Sequence, residues 1–459
     1  MSAASPTLPT DSPATRAAAR WNELLAGDVD LAAEVERGRT FFAARGLELD
    51  GRPLCSVLRP HLLDADRFAH QQQVAALLLS ALRKVAAAVL ADRRLRDKHL
   101  GDLYEWIGHL IELEPGVPGE AVLLRLDASL ARTRLHFLET NADAPVGCGH
   151  NDAIVEFFEQ TEVRRRFGEE YELRPLRLRG FQLQSLLAAH RERGGQERAR
   201  IGVVTRLDDP VRVTGIELET EYYRAQGVAA AYGPPEAFSF ERGKLWLAGA
   251  EVDILHRVVL TAEFLEGGAE LDGIREAVRA GAVCLANPFH AELLGHKALF
   301  ALLSDPELDF GFSAAERAAI AAQVPWTRRV VEGRTTGPHG ENVDLVAHLL
   351  EQRPDLVLKP AHGFGGHDVV LGWHQDDAAW EAALATALEA DFVVQRRIEM
   401  QQENYPAMEP GAPARAFYED TDPFLFGGAT GGLLTRLGTS EITNVHAAGS
   451  VCASFVVGP

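Results

Sequence analysis

Arg125 and Asp127 stand two residues apart, as do Glu139 and Asn141, in two short runs rich in β-forming residues, AVLLRLD (Ala121 to Asp127) and RLHFLETN (Arg134 to Asn141). Side chains two apart on a strand share a face. Pairing the runs as a hairpin therefore brings both pairs onto one surface. Two carboxylates and an amide oxygen converging there repel one another unless a cation sits between them. Mg2+ takes such hard oxygen ligands and keeps places open for phosphate oxygens. An exposed sheet face with ordinary surface charges is the competing reading, and the pattern alone does not choose between the two.

Lys359 and the following AHGFGG (Ala361 to Gly366) form a second group. A lysine ending a strand beside a glycine-rich turn lets an ammonium and backbone N–H groups reach phosphate oxygens. No Gly-Lys-Ser/Thr follows, so this is not a Walker A loop. A strand follows where a dinucleotide fingerprint would open a helix. A plain Gly-rich hairpin turn is the alternative. In FVVQRRI (Phe392 to Ile398), Gln395 is placed to accept from an adenine amino group, unless the strand simply runs out to the surface. Lys297 in GHKALFALL reads equally as a surface lysine, and Arg436 in GGLLTRLG as a cross-strand ion-pair partner. No convincing Ser-His-Asp or Cys-His arrangement stands out. Cys148, in PVGCGH, reads as a small buried thiol. His362 and His367, five residues apart across the turn, read as loop or surface residues and not as a metal pair.

Elements must exist to position these groups. Residues 21–114 have helical periodicity, with Gln71 to Asp97 as a packed core helix. A helix is expected over Asn151 to Phe167, then an α/β unit: strand IGVVT, helix GIELETEYYRAQG, strand VAAAY, a hairpin turning near Arg242-Gly243, and strand EVDILHRVV. Helix LDGIREAVRAG, strand AVCLANP and a helix through Lys297 follow. Strands alternating with helices argue for a mainly parallel sheet. From Asp355 the order is strand LVLKP, turn, strand HDVVLGW, helix, strand FVVQRRI. ARAFYE, GGLLTRLG, EITNVHA and CASFVV then read as strands.

The chain has 459 residues, 46% hydrophobic and 24% charged, which suits two or three packed globular units. Its formal net charge of -20 repels phosphate backbones at long range, so nucleic acid is not an expected partner. The four cysteines form no CxxC pair, so a reducing cytoplasm is expected. Residues 1–20, rich in Ala, Ser, Thr and Pro, read as a disordered tail and not a signal peptide. No run is expected to reach the length that spans a bilayer, so no membrane is expected either.

R-x-D followed by E-x-N, with Asp127 and Glu139 twelve residues apart and ADAP after Asn141, resembles the magnesium half of glutathionylspermidine-synthase-like proteins. That group is the circularly permuted branch of the ATP-grasp superfamily. VDILHR, NPFHAELLGHKALFALL, VPWTR, VLKPAHGFGG, VVQRRI and DPFLFGGATGGLLTRL extend the resemblance from about residue 120 to the C-terminus. It implies an α/β (α+β) chain with an ATP-grasp fold in permuted order, the metal-binding residues preceding the nucleotide lysines. The expected units are a tail (1–20), a helical region (21–114), a segment with the metal hairpin (115–198), a Rossmann-like pre-ATP-grasp domain (199–295), a lysine and glycine-loop subdomain (296–400), and completing strands (401–459).

The same resemblance implies roles. Asp127, Glu139 and Asn141 would hold Mg2+. Lys297 and Lys359 would contact the α- and β-phosphates of ATP, with Gly363, Gly365 and Gly366 closing over them. Gln395 and Ile398 would border adenine, and Arg125 and Arg436 would face the transferred phosphoryl group. The implied activity is a carboxylate–amine ligase acting through an acyl-phosphate, with small acid and amine partners such as amino acids, peptides or polyamines. An ATP-grasp phosphotransferase and a catalytically inactive nucleotide-binding scaffold are the alternatives. The glutathionylspermidine enzymes' cysteine amidase domain has no counterpart here.

Overall fold

The computed structural model describes residues 12–100, 103–111, 121–131, 134–363, 365–409, 411–443 and 449–458. Three sheets position the candidate residues. A six-stranded antiparallel sheet runs in the order Ser450–Cys452, Ala429–Gly438, Arg415–Phe426, Leu123–Ala131, Arg134–Asn141, with Gln402–Tyr405 also pairing Arg415–Phe426. A four-stranded antiparallel sheet is ordered Thr327–Arg329, Phe392–Arg396, Leu356–Pro360, Val370–Leu371. The third is the parallel sheet Cys284–Ala286, Ile254–Arg257, Ile201–Val204, Ala230–Gly233. Ile254 to Arg257 and Ile201 to Val204 are buried throughout, as strands covered on both faces must be.

The expected hairpin forms, and its register is the first fact that matters for chemistry. Arg125 faces Asn141 and Asp127 faces Glu139; a bulge beyond Asp127 leaves Leu138 as the extra residue. Directly opposed residues share a face, so all four side chains point the same way. Asn287, just after the parallel sheet, clamps the open end of this hairpin. Its Oδ1 accepts from Leu123 N at 2.9 Å, and its Nδ2 donates to Leu123 O at 2.6 Å and Ala142 O at 2.7 Å.

Several local expectations need correction. Helix Pro13–Gly27 starts inside the stretch taken as a tail, because Ser12 caps it, Pro13 suits its first turn, and Ala14 and Ala17 are buried; residues 1–11 lie outside the described residues. Asn151 to Phe167 is two helices, Cys148–Glu159 and Glu162–Phe167, because Thr161 caps a new start. EVDILHRVV divides at Asp253, whose carboxylate accepts from Arg200 N at 2.7 Å, into strands of two different sheets. Glu441 to Thr443 form no strand, and residues 444–448 of that run lie outside the described residues.

Helix Ala65–Ala91 is long and apolar enough to cross a membrane by length and composition, contrary to expectation, with a mean hydropathy of 1.9 over its best window. In the fold it is a core helix. Val74, Leu78, Leu82 and Val85 pack with Leu124 and Leu126 of the hairpin and with Leu299 and Phe300. Gln71 is buried and donates to Thr421 O at 2.8 Å.

Helices Cys148–Glu159 and Pro210–Ala225 cross where Gly149 meets Gly215. A Cβ on Gly149 would stand 2.1 Å from the Gly215 carbonyl oxygen, a backbone atom that cannot turn aside. Gly149→Ala is expected to force the helices apart and cost about 1–3 kcal/mol in urea denaturation. An unchanged midpoint would mean that the crossing is loose.

Candidate active site

A cleft opens between the six-stranded and four-stranded antiparallel sheets. Arg125, Asp127, Glu139 and Asn141 line one wall, Lys359, Gln395 and Ile398 the other, with Lys297, Gly363, Gly365, Gly366 and Arg436 completing it. The structure thus brings every sequence-predicted site residue into one place. A larger void of about 1120 Å3 lies beside it and shares Arg396 and Ile398, but neither Lys297 nor Lys359 lines it. The chemistry belongs with the lysines.

Each basic group is held by geometry. Lys359 is buried at the end of strand Leu356–Pro360, and its Nζ donates to Gln395 Oε1 at 2.8 Å. Burial lowers its pKa, with Glu139 pulling the other way. Lys297 does not sit within a helix as expected; it occupies the junction between Glu292–Gly295 and Ala298–Leu303. Its backbone N donates to Ala361 O at 2.8 Å, which ties the junction to the glycine turn. Its Nζ donates to Gly363 O at 2.8 Å and stands 3.5 Å from Glu139 Oε2. Gly363, Gly365 and Gly366 have φ of 141°, 71° and 73°, a region that strains other residues, so the turn needs its glycines.

The acidic side is more crowded than the sequence suggested. Asp127 accepts from Arg125 Nε at 2.7 Å and Nη2 at 3.1 Å, and from Arg436 Nη2 at 2.6 Å. Burial opposes its ionisation, but Arg125 and Arg436 overcome that and hold the carboxyl well below its usual range. Asp420 and Asp422 join the same network, with Arg436 Nη2 3.3 Å from Asp420 and Arg436 Nε 2.9 Å from Asp422. Burial, partly offset by Arg436 and reinforced by Asp127, pushes Asp420 up to about 7. Asp422 is raised by the same causes. Sequence reasoning missed both aspartates. Their two-residue spacing on strand Arg415–Phe426 was the available signal, since it places both on one face.

Two assignments change in detail. Gln395 Oε1 already accepts from Lys359, which leaves one lone pair on that oxygen for a further donor. Its Nε2 donates to Leu138 O at 3.2 Å and Thr327 Oγ1 at 3.1 Å. It is a positioning residue for the lysine. Gln395→Leu, which keeps the bulk and loses the acceptor, is expected to weaken ATP binding about tenfold by freeing and further desolvating Lys359. Equal affinity in a titration with a fluorescent ATP analogue would remove that role. Asp127 as a metal ligand is conditional. Three of its roughly four acceptor positions are occupied by arginine N–H groups.

The donor set does fit Mg2+ once polyphosphate is present. Asn141 already hydrogen-bonds Asp127, which leaves its amide oxygen, with the Asp127 and Glu139 carboxylates, as hard oxygen donors on one face. Phosphate oxygens would compete for Arg125 and Arg436, and the released carboxylates would then need a cation. Among the described residues no three His, Cys, Asp or Glu side chains cluster as a metal site; a third ligand beside Asp127 and Glu139 would have to come from the Asn141 amide. The cleft measures about 170 Å3, below the ~300–1,000 Å3 usual for ligand pockets. The remaining wall is apolar, with Val357, Leu371, Trp373 and Met400.

Cys148 is fully buried, and burial pushes its thiol up, which suits packing and not nucleophilic attack. His362 Nε2 lies 2.6 Å from Glu292 Oε1, an imidazole–carboxyl pair.

Among solved structures, the chain is similar to a glutathione synthetase-like effector from Globodera pallida, 12% identical, with a TM-score of 0.59 over 93% of this chain and 97% of that one. The fold is glutathione synthetase-like. A candidate gamma-glutamylcysteine synthetase from Methylobacillus flagellatus is 13% identical over 84% of this chain and 87% of its own, at a TM-score of 0.40. No protein-family model matches the chain, and no curated protein matches it.

Proposed function

We propose that this glutathione synthetase-like chain is an ATP-dependent carboxylate–amine ligase working through an acyl-phosphate. The observation that supports it most is the convergence of Lys297, Lys359 and the glycine turn on Asp127 and Glu139 within one cleft. Phosphoryl transfer asks the protein for alignment and charge neutralisation and for little covalent help. The lysines would hold the α- and β-phosphates, the apolar wall with Ile398 would take adenine, and Arg125 and Arg436 would turn from Asp127 to the transferred group. Mg2+ bound by Asp127, Glu139 and Asn141 would neutralise phosphate charge.

In the first step a substrate carboxylate oxygen attacks the γ-phosphorus and ADP leaves. In the second an amine nitrogen attacks the acyl carbon, inorganic phosphate leaves, and the nitrogen gives up a proton. Acid and amine are of the amino-acid, peptide or polyamine type. The metal-side hairpin precedes both lysines in the chain, the order of a circularly permuted ATP-grasp protein. A decayed scaffold is disfavoured because buried acids without their cations destabilise a fold, and here Asp127, Asp420 and Asp422 keep Arg125 and Arg436.

The test supplies ATP, Mg2+ and a panel of amino acids and polyamines. Release of ADP and phosphate that depends on an amine is the expected result, and hydroxylamine should trap the acid as a hydroxamate. Nucleotide binding with no turnover under any substrate set would replace the ligase by a scaffold.

A further inference from the structure

A second, smaller cavity of about 70 Å3 lies behind the glycine turn. It shares Asn141 and Gly363 with the main cleft, so it adjoins the phosphate end and not the apolar end that carries Trp373 and Ile398. Its walls hold buried acceptors short of donors. Glu292 is 5% exposed; its Oε1 meets His362 Nε2, while its Oε2 has no N–H or O–H donor of the protein beside it, and the carboxyl faces the Asp143 carboxylate, with which it competes for one proton. Thr140 is also 5% exposed, and its Oγ1 is likewise unsatisfied. Buried acceptors left unpaired are costly, and a fold keeps them where a ligand completes them.

The sign of the charge narrows the ligand. Asp143 lines the same cavity, already satisfied by Arg257 Nη2 at 2.6 Å and by Thr261 N at 2.7 Å. Its carboxylate still adds a negative field: burial and then Asp143 push Glu292 up to about 7. An anion is repelled there, and an apolar group would leave Oε2 and Oγ1 unpaired. A divalent ion would find few ligands, since Asp143 is engaged. A water occupies about 30 Å3 of liquid, so the space takes a head of two or three heavy atoms, with the rest of a ligand extending through the opening.

We infer that this cavity seats the amino group of the amine substrate, with Glu292 Oε2 and Thr140 Oγ1 accepting its N–H bonds. The inference rests on the ligase reading and places the nucleophile beside the phosphate cradle. Glu292 and Thr140 are thereby specificity determinants for a primary ammonium or amine head.

Calorimetric titration of methylammonium chloride into protein saturated with MgATP tests this, with tetramethylammonium chloride as a cation lacking N–H. Saturable methylammonium binding is expected, with none for tetramethylammonium. Glu292→Gln should bind methylammonium at least about tenfold more weakly while retaining MgATP. Thr140→Val, which removes only the hydroxyl function, should weaken it severalfold and serves if the first variant does not fold. A protein that binds MgATP but not methylammonium overturns the inference and leaves the ligase reading standing. Equal methylammonium affinity in wild type and variants overturns it too, as does a Glu292→Gln that loses Mg2+ binding instead. Failure to bind MgATP at all is the distinct failure of the ligase reading, and the amine seat falls with it.

Discussion

Replacing Glu139 by Gln should lower ATP turnover by about 10²–10³-fold and leave the melting temperature essentially unchanged. Glu139 stands directly opposite Asp127 in the hairpin and 3.5 Å from Lys297. It is the charged group best placed to meet a phosphate-bound cation from the hairpin side. The amide keeps shape and hydrogen bonding but removes the negative charge on which a hard cation depends. Stability should hold, because the side chain is partly exposed and the register is set by backbone pairing, the Leu138 bulge and the Asn287 clamp. Steady-state ADP release and a thermal melt on the same preparation decide it. Undiminished turnover would place Glu139 outside the phosphate chemistry.

Arg436→Met should destabilise the fold by about 3–5 kcal/mol at pH 8, a large share of a typical ~5–15 kcal/mol. The guanidinium reaches Asp127, Asp420 and Asp422 together; without it, Arg125 beside Asp127 and Asp422 and the more distant Lys359 are left to oppose the charge. Asp420 sits at about 7 even with Arg436 present, through burial and Asp127. Without it the folded carboxyls hold protons that the unfolded chain has released. The folded state then binds more protons between the ordinary carboxylate range and about pH 7, so the variant's stability falls as pH rises through that window. In the wild type Asp127 contributes the opposite way, because Arg125 and Arg436 depress its pKa despite burial, and that contribution is present above the carboxylate range. Both effects make the deficit larger at pH 8 than at pH 5. Urea denaturation at the two pH values checks it; an equal deficit at both would show that the loss is one of packing. Adding Asp422→Asn to the variant should recover part of the stability.

The hairpin was legible because a period of two, a short turn and the Arg125/Asp127 and Glu139/Asn141 spacing are local facts about a strand pair. The glycine turn was legible for a similar reason: residues that need positive φ announce themselves by lacking a Cβ. Boundaries were less so. Ser12, Thr161 and Asp253 each start or divide an element through one side-chain hydrogen bond, which no averaging over a window detects.

From the amino acids alone came the strand faces, the acid and amide pairs, the lysines and the turn, since propensity and side-chain alternation act over a few residues. Tertiary structure decided which of them meet. It drew Lys297, Lys359 and Arg436 around a hairpin far from them in sequence, paired the Gln395 acceptor with Lys359, and added Asp420 and Asp422. It also left Glu292 and Thr140 buried and short of donors behind the turn. Burial and charge pairing depend on distances between segments that are remote along the chain, and those distances exist only after the sheets have packed.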